Sequence, residues 1–260
     1  MAEAMIQGLL AKGLVSAEHV TASDPRKKRQ EELHQLCGIR VTGDNVAAAK
    51  AGEIVVFAVK PQVLGSVLQE LKGALEPRQM VMSIVAGARI DTMRETLRHD
   101  AIVRVMPNTP AQIGQGISVW TATEGCCQER LDQARAILQA LGKEIFMDDE
   151  KFLDMATAVS GTGPMYVFLV MEALTDAAVH LGFPRHIAYE LVAETMRGSI
   201  AYAIQSGKHP AELRNLVTSP GGTSAEALYQ LEKGSLRTVL SKAVRAAYER
   251  SVYLGSSVGR

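Results

Sequence analysis

Pro220-Gly221-Gly222-Thr223-Ser224 is the stretch of this sequence best equipped to hold a small charged ligand. Two adjacent glycines let the backbone turn tightly and approach a ligand with no side chain in the way. Thr223, three residues before Glu226, has the spacing of a capping box and predicts that a helix opens there. The first amides of a helix lack intrahelical acceptors and sit at the positive end of its dipole, so such a start attracts an anion. A second group of candidates lies where short apolar runs end. Ala58, Val59, Lys60 and Pro61 close one run. The proline ends strand pairing there, and Lys60 offers a stem and a charge to whatever binds beyond it. Asn108 stands in a stiff loop between Pro107 and Pro110. Taken alone, Asn108 is a turn former and Lys60 a solvated lysine. The histidines are scattered without ligand spacing, so no metal centre is expected.

The elements that must position these residues fall into two halves. Up to residue 149, runs rich in Val and Ile (Ile54 to Ala58, Met80 to Val85, Ile102 to Met106, Gly116 to Thr121) alternate with helical patterns such as Gln62 to Leu75 and Asp91 to Leu97. Runs apolar at nearly every position suit strands buried on both faces, as in a parallel sheet. The alternation predicts a doubly wound α/β domain, Rossmann-like, over residues 1–149. From Glu150 the strand signal disappears. Helices are predicted over Pro164–Leu181, Pro184–Ser206, Pro210–Val217, Thr223–Lys233 and Ser235–Ser256, so residues 150–260 form an all-helical domain. Its helices are more apolar than so small a domain needs, and their faces are expected to bury against a second copy of the chain.

The first helix carries one apolar stripe, Met5, Ile6, Leu9 and Leu10, but has no capping residue and no strand before it. In a dinucleotide fold that helix follows the first strand across a glycine-rich turn, and Ala2 suits the third small residue of such a turn. The expectation is a sheet lacking its first strand, with a gap between neighbours. The strand and the first two glycines would lie upstream of Met1, and a chain extended there is expected to be active where the short one has little activity. The next strand, Val20 to Ser23, ends in Ser23 and Asp24, followed by Arg26 and Lys27. An acid there favours NAD, and nearby cations favour NADP. Two cations and a serine outweigh one acid, so NADP is expected, with NAD the alternative.

Composition narrows the class. The formal net charge is zero, which gives no footprint for nucleic acid or anionic lipid. The longest apolar stretch, Val167 to Leu181, is broken by Glu172 and Asp176 and reads as a helix buried in protein, not in a membrane. No signal peptide is visible, and the three cysteines (Cys37 and the adjacent pair Cys126 and Cys127) suit a reducing cytoplasm.

Four motifs occur in order: Ala58-Val59-Lys60-Pro61, Met106-Pro107-Asn108-Thr109-Pro110, Ser160-Gly161-Thr162-Gly163-Pro164, and Val217-Thr218-Ser219-Pro220-Gly221-Gly222-Thr223-Ser224. Together they resemble the pyrroline-5-carboxylate reductase family over essentially the whole chain. The resemblance implies NAD(P)H-dependent reduction of 1-pyrroline-5-carboxylate to L-proline, and homodimers that assemble into larger rings. It implies cofactor contacts at Ser23, Asn45, Ala58, Val59, Lys60, Pro61, Ala86 and Asn108. It also implies substrate contacts at Glu150, Val217, Ser219, Gly221, Gly222 and Thr223, with Ser224 in the catalytic slot. Threonine is usual in that slot; serine keeps its hydroxyl and loses the methyl that restricts its rotamer. Leu216 stands where some members have asparagine, so no cofactor contact is carried over there. Two rival readings differ in class. One is another two-domain dehydrogenase, acting on a hydroxy acid with a catalytic lysine on the first helix after the sheet domain; Pro164–Leu181 contains no lysine. The other is a non-catalytic dimerising homologue.

Overall fold

In a computed structural model of the chain, residues 1–257 are described; the end of the expected helical half, 258–260, lies outside them. Contacts divide the chain into two units, Met1–Gly163 together with the segment that begins at Ala246, and Pro164–Arg245.

The first unit runs α1 (Ala2–Ala11), β1 (Thr21–Ser23), α2 (Lys27–Cys37), β2 (Arg40–Thr42), α3 (Asn45–Lys50), β3 (Ile54–Phe57), α4 (Pro61–Glu70), β4 (Met80–Ser83), α5 (Ile90–Leu97), β5 (Ile102–Met106), β6 (Gly116–Ala122), α6 (Gln128–Gln139), β7 (Gly142–Phe146) and α7 (Lys151–Ala156). Strands β3 to β7 form one sheet in sequence order, while β1 and β2 pair only with each other. No described strand joins β1 to β3, which is the break in the sheet that the sequence predicts. Side chains alternate across the large sheet. Met80, Met82, Val103, Val105 and Trp120 enter one core. Phe57, Val81 and Ile102 enter the other, against Leu64 and Leu68 of α4 and Met93 and Leu97 of α5. A sheet buried on both faces explains why its strands read as continuous apolar runs.

Two points differ from the sequence reading. First, β6 runs antiparallel to β5. Only Pro107 to Gln115 separate the two strands, and a parallel return needs a crossover of about a dozen residues or more. Second, β2 and β7 are strands that the sequence reading did not name. Arg40-Val41-Thr42 is too short to show a period, and β7 carries Lys143 and Glu144. That second strand is edge-like, with Gly142 at φ +137 facing Gly116 in its paired position, where no side chain fits.

The second unit is helical: α8 (Gly163–His180), α9 (Arg185–Ser206), α10 (Pro210–Leu216), α11 (Thr223–Lys233) and the first part of α12 (Leu236–Ser257). Pro210 opens α10 at its first turn, and Gly207 ends α9 at φ 63, each where backbone chemistry favours it. Thr175 is the one buried residue of α8 and Ala188 the one of α9. Met165, Phe168 and Leu169 lie at least half exposed. Among the described residues, no helix is long and apolar enough to cross a membrane.

Candidate active site

In the second unit, the loop from Val217 to Gly222 is tied down at its start. The Val217 amide and the Thr218 hydroxyl both donate to the Arg214 carbonyl, at 3.2 and 2.7 Å. Gly221 then takes φ +69, a conformation that side chains disfavour, and the Gly222 amide closes a turn on the Ser219 carbonyl at 3.1 Å. A methyl on Gly222 would stand 2.5 Å from the Ser219 Oγ and 3.2 Å from its carbonyl oxygen, so a larger residue here would displace the Ser219 hydroxyl.

The capping box expected at Thr223 does not form. Gly222 is the cap residue, extended at φ −84 and ψ 170, and no side chain bonds the helix start. The turn at Gly221 brings the chain into the helix one residue earlier than the box requires, so Thr223 is already helical. The Ala225 and Glu226 amides donate to the Gly222 carbonyl, whereas those of Thr223 and Ser224 have no acceptor among the described residues. Two free amides, two exposed hydroxyls (Thr223 and Ser224) and the positive end of an 11-residue helix therefore converge on one exposed spot. This arrangement is chemically suited to a carboxylate, with a hydroxyl beside it.

In the first unit, β3, β4 and β5 are parallel, so their carboxyl ends share one edge. That edge collects Ala58 to Pro61, the Ala86-Gly87 turn and Asn108. Strand β3 stops at Phe57, one residue short of the expected end, and Pro61 begins α4 with Lys60 as its exposed cap. Asn108 has structural work: its Oδ1 accepts the Ile117 amide at 3.0 Å and fixes the start of β6. Asn45 opens α3, and its Nδ2 donates to Glu70 Oε2 at 2.8 Å.

At the carboxyl end of β1, the buried Oγ of Ser23 has no hydrogen-bond partner among the described residues. A buried hydroxyl without a partner is costly, so an acceptor or donor from outside the chain suits it. Next to it, both oxygens of Asp24 are taken by Arg26, Oδ1 from Nε and Oδ2 from Nη2, each at 3.0 Å. The side-chain hydrogen bond from Arg26 holds the Asp24 carboxyl below its usual value, partly offset by burial. The Arg26 guanidinium itself is largely exposed. Ser23, and the strand-end residues at the main sheet edge, thus fit a bound dinucleotide at the edge where such ligands sit in open α/β sheets.

Glu150 is placed as a cap and ion-pair member. Its Oε1 accepts the Ile90 amide at 2.9 Å and Arg104 Nη1 at 2.6 Å. Arg104, with its side chain 4% exposed, also reaches Asp154 at 3.2 Å. The sequence reading did not single out Arg104. Its signal was a lone cation inside the otherwise apolar run Ile102 to Met106, which a buried strand tolerates only with partners. The Ser160 to Pro164 motif forms a π-helical turn, Thr157–Gly161, closed by the Thr162 amide on the Thr157 carbonyl at 2.8 Å, and Gly161 lies against Met106 of the second motif.

Comparison with known proteins identifies the family. Residues 150–254 match the family described as pyrroline-5-carboxylate reductase dimerisation, and residues 1–87 that described as NADP oxidoreductase, coenzyme F420-dependent. A pyrroline-5-carboxylate reductase of Synechocystis sp. is 39% identical over 255 residues, 98% of this chain and 95% of its own. One from Pseudomonas aeruginosa is 38% identical, over 100% of this chain and 95% of its own. The crystal structure of Plasmodium falciparum pyrroline carboxylate reductase with NADP bound superposes with a TM-score of 0.89 at 32% identity, covering 97% of this chain and 93% of that one. With this likeness along its whole length, and with the glycine turn and free helix amides in place, the chain belongs to the pyrroline-5-carboxylate reductase family.

Proposed function

We propose that the protein reduces 1-pyrroline-5-carboxylate to L-proline with NADPH, the last step of proline synthesis. The observation that carries this reading is the start of α11, where a glycine turn leaves the Thr223 and Ser224 amides without acceptors. The substrate's carboxylate accepts those two hydrogen bonds, and Val217, Ser219, Gly221 and Gly222 shape the turn around it. The Ser224 hydroxyl then lies on the same helix start and bonds the ring nitrogen, so the carboxylate and nitrogen together orient the imine carbon. Bound NADPH supplies the hydride for that carbon. The substrate brings the nitrogen's proton as an iminium, so no side chain need act as an acid.

NADP suits the end of β1 better than NAD. An acid selects NAD by accepting from the ribose 2′-hydroxyl, and Asp24 has both oxygens occupied by Arg26. The free Ser23 hydroxyl and the exposed Arg26 and Lys27 offer donors and positive charge to a 2′-phosphate. Asn45, Ala58 to Pro61, Ala86 and Asn108 line the rest of that path. Residues 1–149 are accordingly read as the cofactor half and 150–260 as the substrate and dimerisation half. The match of residues 150–254 to a dimerisation family and the apolar exposed face of α8 support a homo-oligomer, a dimer that joins others in a ring. Three free thiols suit the cytoplasm. A lysine-dependent hydroxy-acid dehydrogenase is disfavoured, because α8 carries no lysine.

The experiment is to purify the natural protein and supply 1-pyrroline-5-carboxylate with NADPH. Expected is one L-proline formed per NADPH oxidised, with NADH a poorer donor. Tight NADPH binding without proline formation would instead indicate a non-catalytic homologue.

A further inference from the structure

The segment that leaves β4, Ile84 to Ile90, carries Ala86; the Ile84 amide donates to the Phe57 carbonyl at 3.0 Å, and Val85 and Ala88 are buried in the core. Two further contacts come from α12 and from the residue before α7. Gly87 has φ +73, and a methyl on it would stand 3.1 Å from the Gly255 nitrogen and 3.3 Å from the Leu254 carbonyl carbon, at the end of α12. In return, a methyl on Gly255 would stand 3.2 Å from Arg89 Nε and 3.4 Å from the Gly87 oxygen. The two backbones therefore pack closely, and a side chain at either glycine would have to push its neighbour back by a few tenths of an ångström. The second contact is the Ile90 amide, which donates to Glu150 Oε1 at 2.9 Å.

Both contacts lead to one buried cation. Arg104 pairs with Glu150 at 2.6 Å and with Asp154 at 3.2 Å. Asp154 Oδ1 also accepts the Ser251 hydroxyl at 2.9 Å, and Ser251 lies one turn before Gly255, on the same face of α12. A guanidinium so buried is stable only with its acids in place, and those acids are further satisfied by the Ile90 amide and the Ser251 hydroxyl. A buried polar network in which each acid has several donors is stiff, and it specifies one arrangement.

We propose that Arg104 is a positioning residue for the dinucleotide. Acting through Glu150 on Ile90, and through Asp154, Ser251 and Gly255 on Gly87, it fixes the Ala86-Gly87 turn against which the cofactor rests. The idea rests on the reading of Ala86 as a cofactor contact. A turn already held in its binding geometry spares the cofactor the cost of ordering it.

Ser251→Ala tests this, since it removes one link and touches neither Arg104 nor the cofactor. In the natural protein it is expected to raise the Kd and KM for NADPH roughly fivefold, as fits one charge-assisted hydrogen bond partly transmitted. The kcat and the KM for the imine stay unchanged, hydrogen exchange at residues 84–90 speeds up without cofactor, and Ser251→Thr restores the wild-type values. Arg104→Lys keeps the charge but not the fork, and is expected to weaken NADPH further. A Ser251→Ala protein that melts earlier yet keeps its NADPH affinity and its exchange pattern would show a merely structural role and overturn the proposal. Wild-type protein that binds NADPH without protecting residues 84–90 would refute the cofactor reading of Ala86, and the proposal with it.

Discussion

At the scale of single residues, the proposed chemistry rests on two hydroxyls and one ion pair. Ser224 is exposed on the second helical residue of α11. Ser224→Ala is expected to lower kcat roughly tenfold by removing the oxygen that accepts from the iminium N–H, with NADPH affinity unchanged. Ser224→Thr is expected to raise kcat, because the added methyl restricts the rotamer; steady-state kinetics on both variants checks this. At the proposed cofactor site, Arg26 occupies both oxygens of Asp24. Arg26→Ala frees Asp24 Oδ2, while the amide of residue 26 still donates to Oδ1 at 2.9 Å, and the ratio of kcat/KM for NADPH over NADH is expected to fall by roughly tenfold. An unchanged ratio would show that Ser23 and Lys27 choose the cofactor without help from Arg26.

At the scale of elements, the glycine turn before α11 matters more than any side chain in it. Gly221→Ala forces a methyl into a left-handed conformation at a cost of about 1–2 kcal/mol. The turn is expected to relax away from φ +69, moving the two free amides and raising the KM for the imine roughly tenfold, with the KM for NADPH unaltered. Titration with L-proline, as product, would report the same loss. Most of these elements can be read from the sequence, since Pro61, Pro210 and Gly207 mark helix ends and the apolar runs mark β3 to β6. What escaped were features that depend on partners far along the chain. The capping box at Thr223 had correct local spacing, but Gly221 starts the helix early. Arg104 draws its partners from residues 150 and 154, and the linked serine lies at 251. Local patterns carry no register between such distant positions, so the Rossmann-like half was legible while the network beneath its cofactor edge was not.

At the scale of the whole molecule, the α8 surface is the least finished part. Met165, Phe168, Leu169 and Leu174 are about half exposed or more, and each would contribute roughly 1–2 kcal/mol on burial of the area still open. Such a face is unusual on a monomer and is accounted for by a second copy of the chain. Sedimentation at micromolar concentration is expected to show a dimer or a multiple of it, and Phe168→Asp to dissociate it. A monomeric wild type would leave the apolar helix without a partner.

One structure would test the account most directly: the natural protein crystallised with L-proline. The carboxylate is predicted on the Thr223 and Ser224 amides, with the ring nitrogen within hydrogen-bonding reach of the Ser224 hydroxyl. Proline bound away from the start of α11, with those amides facing solvent, would contradict it.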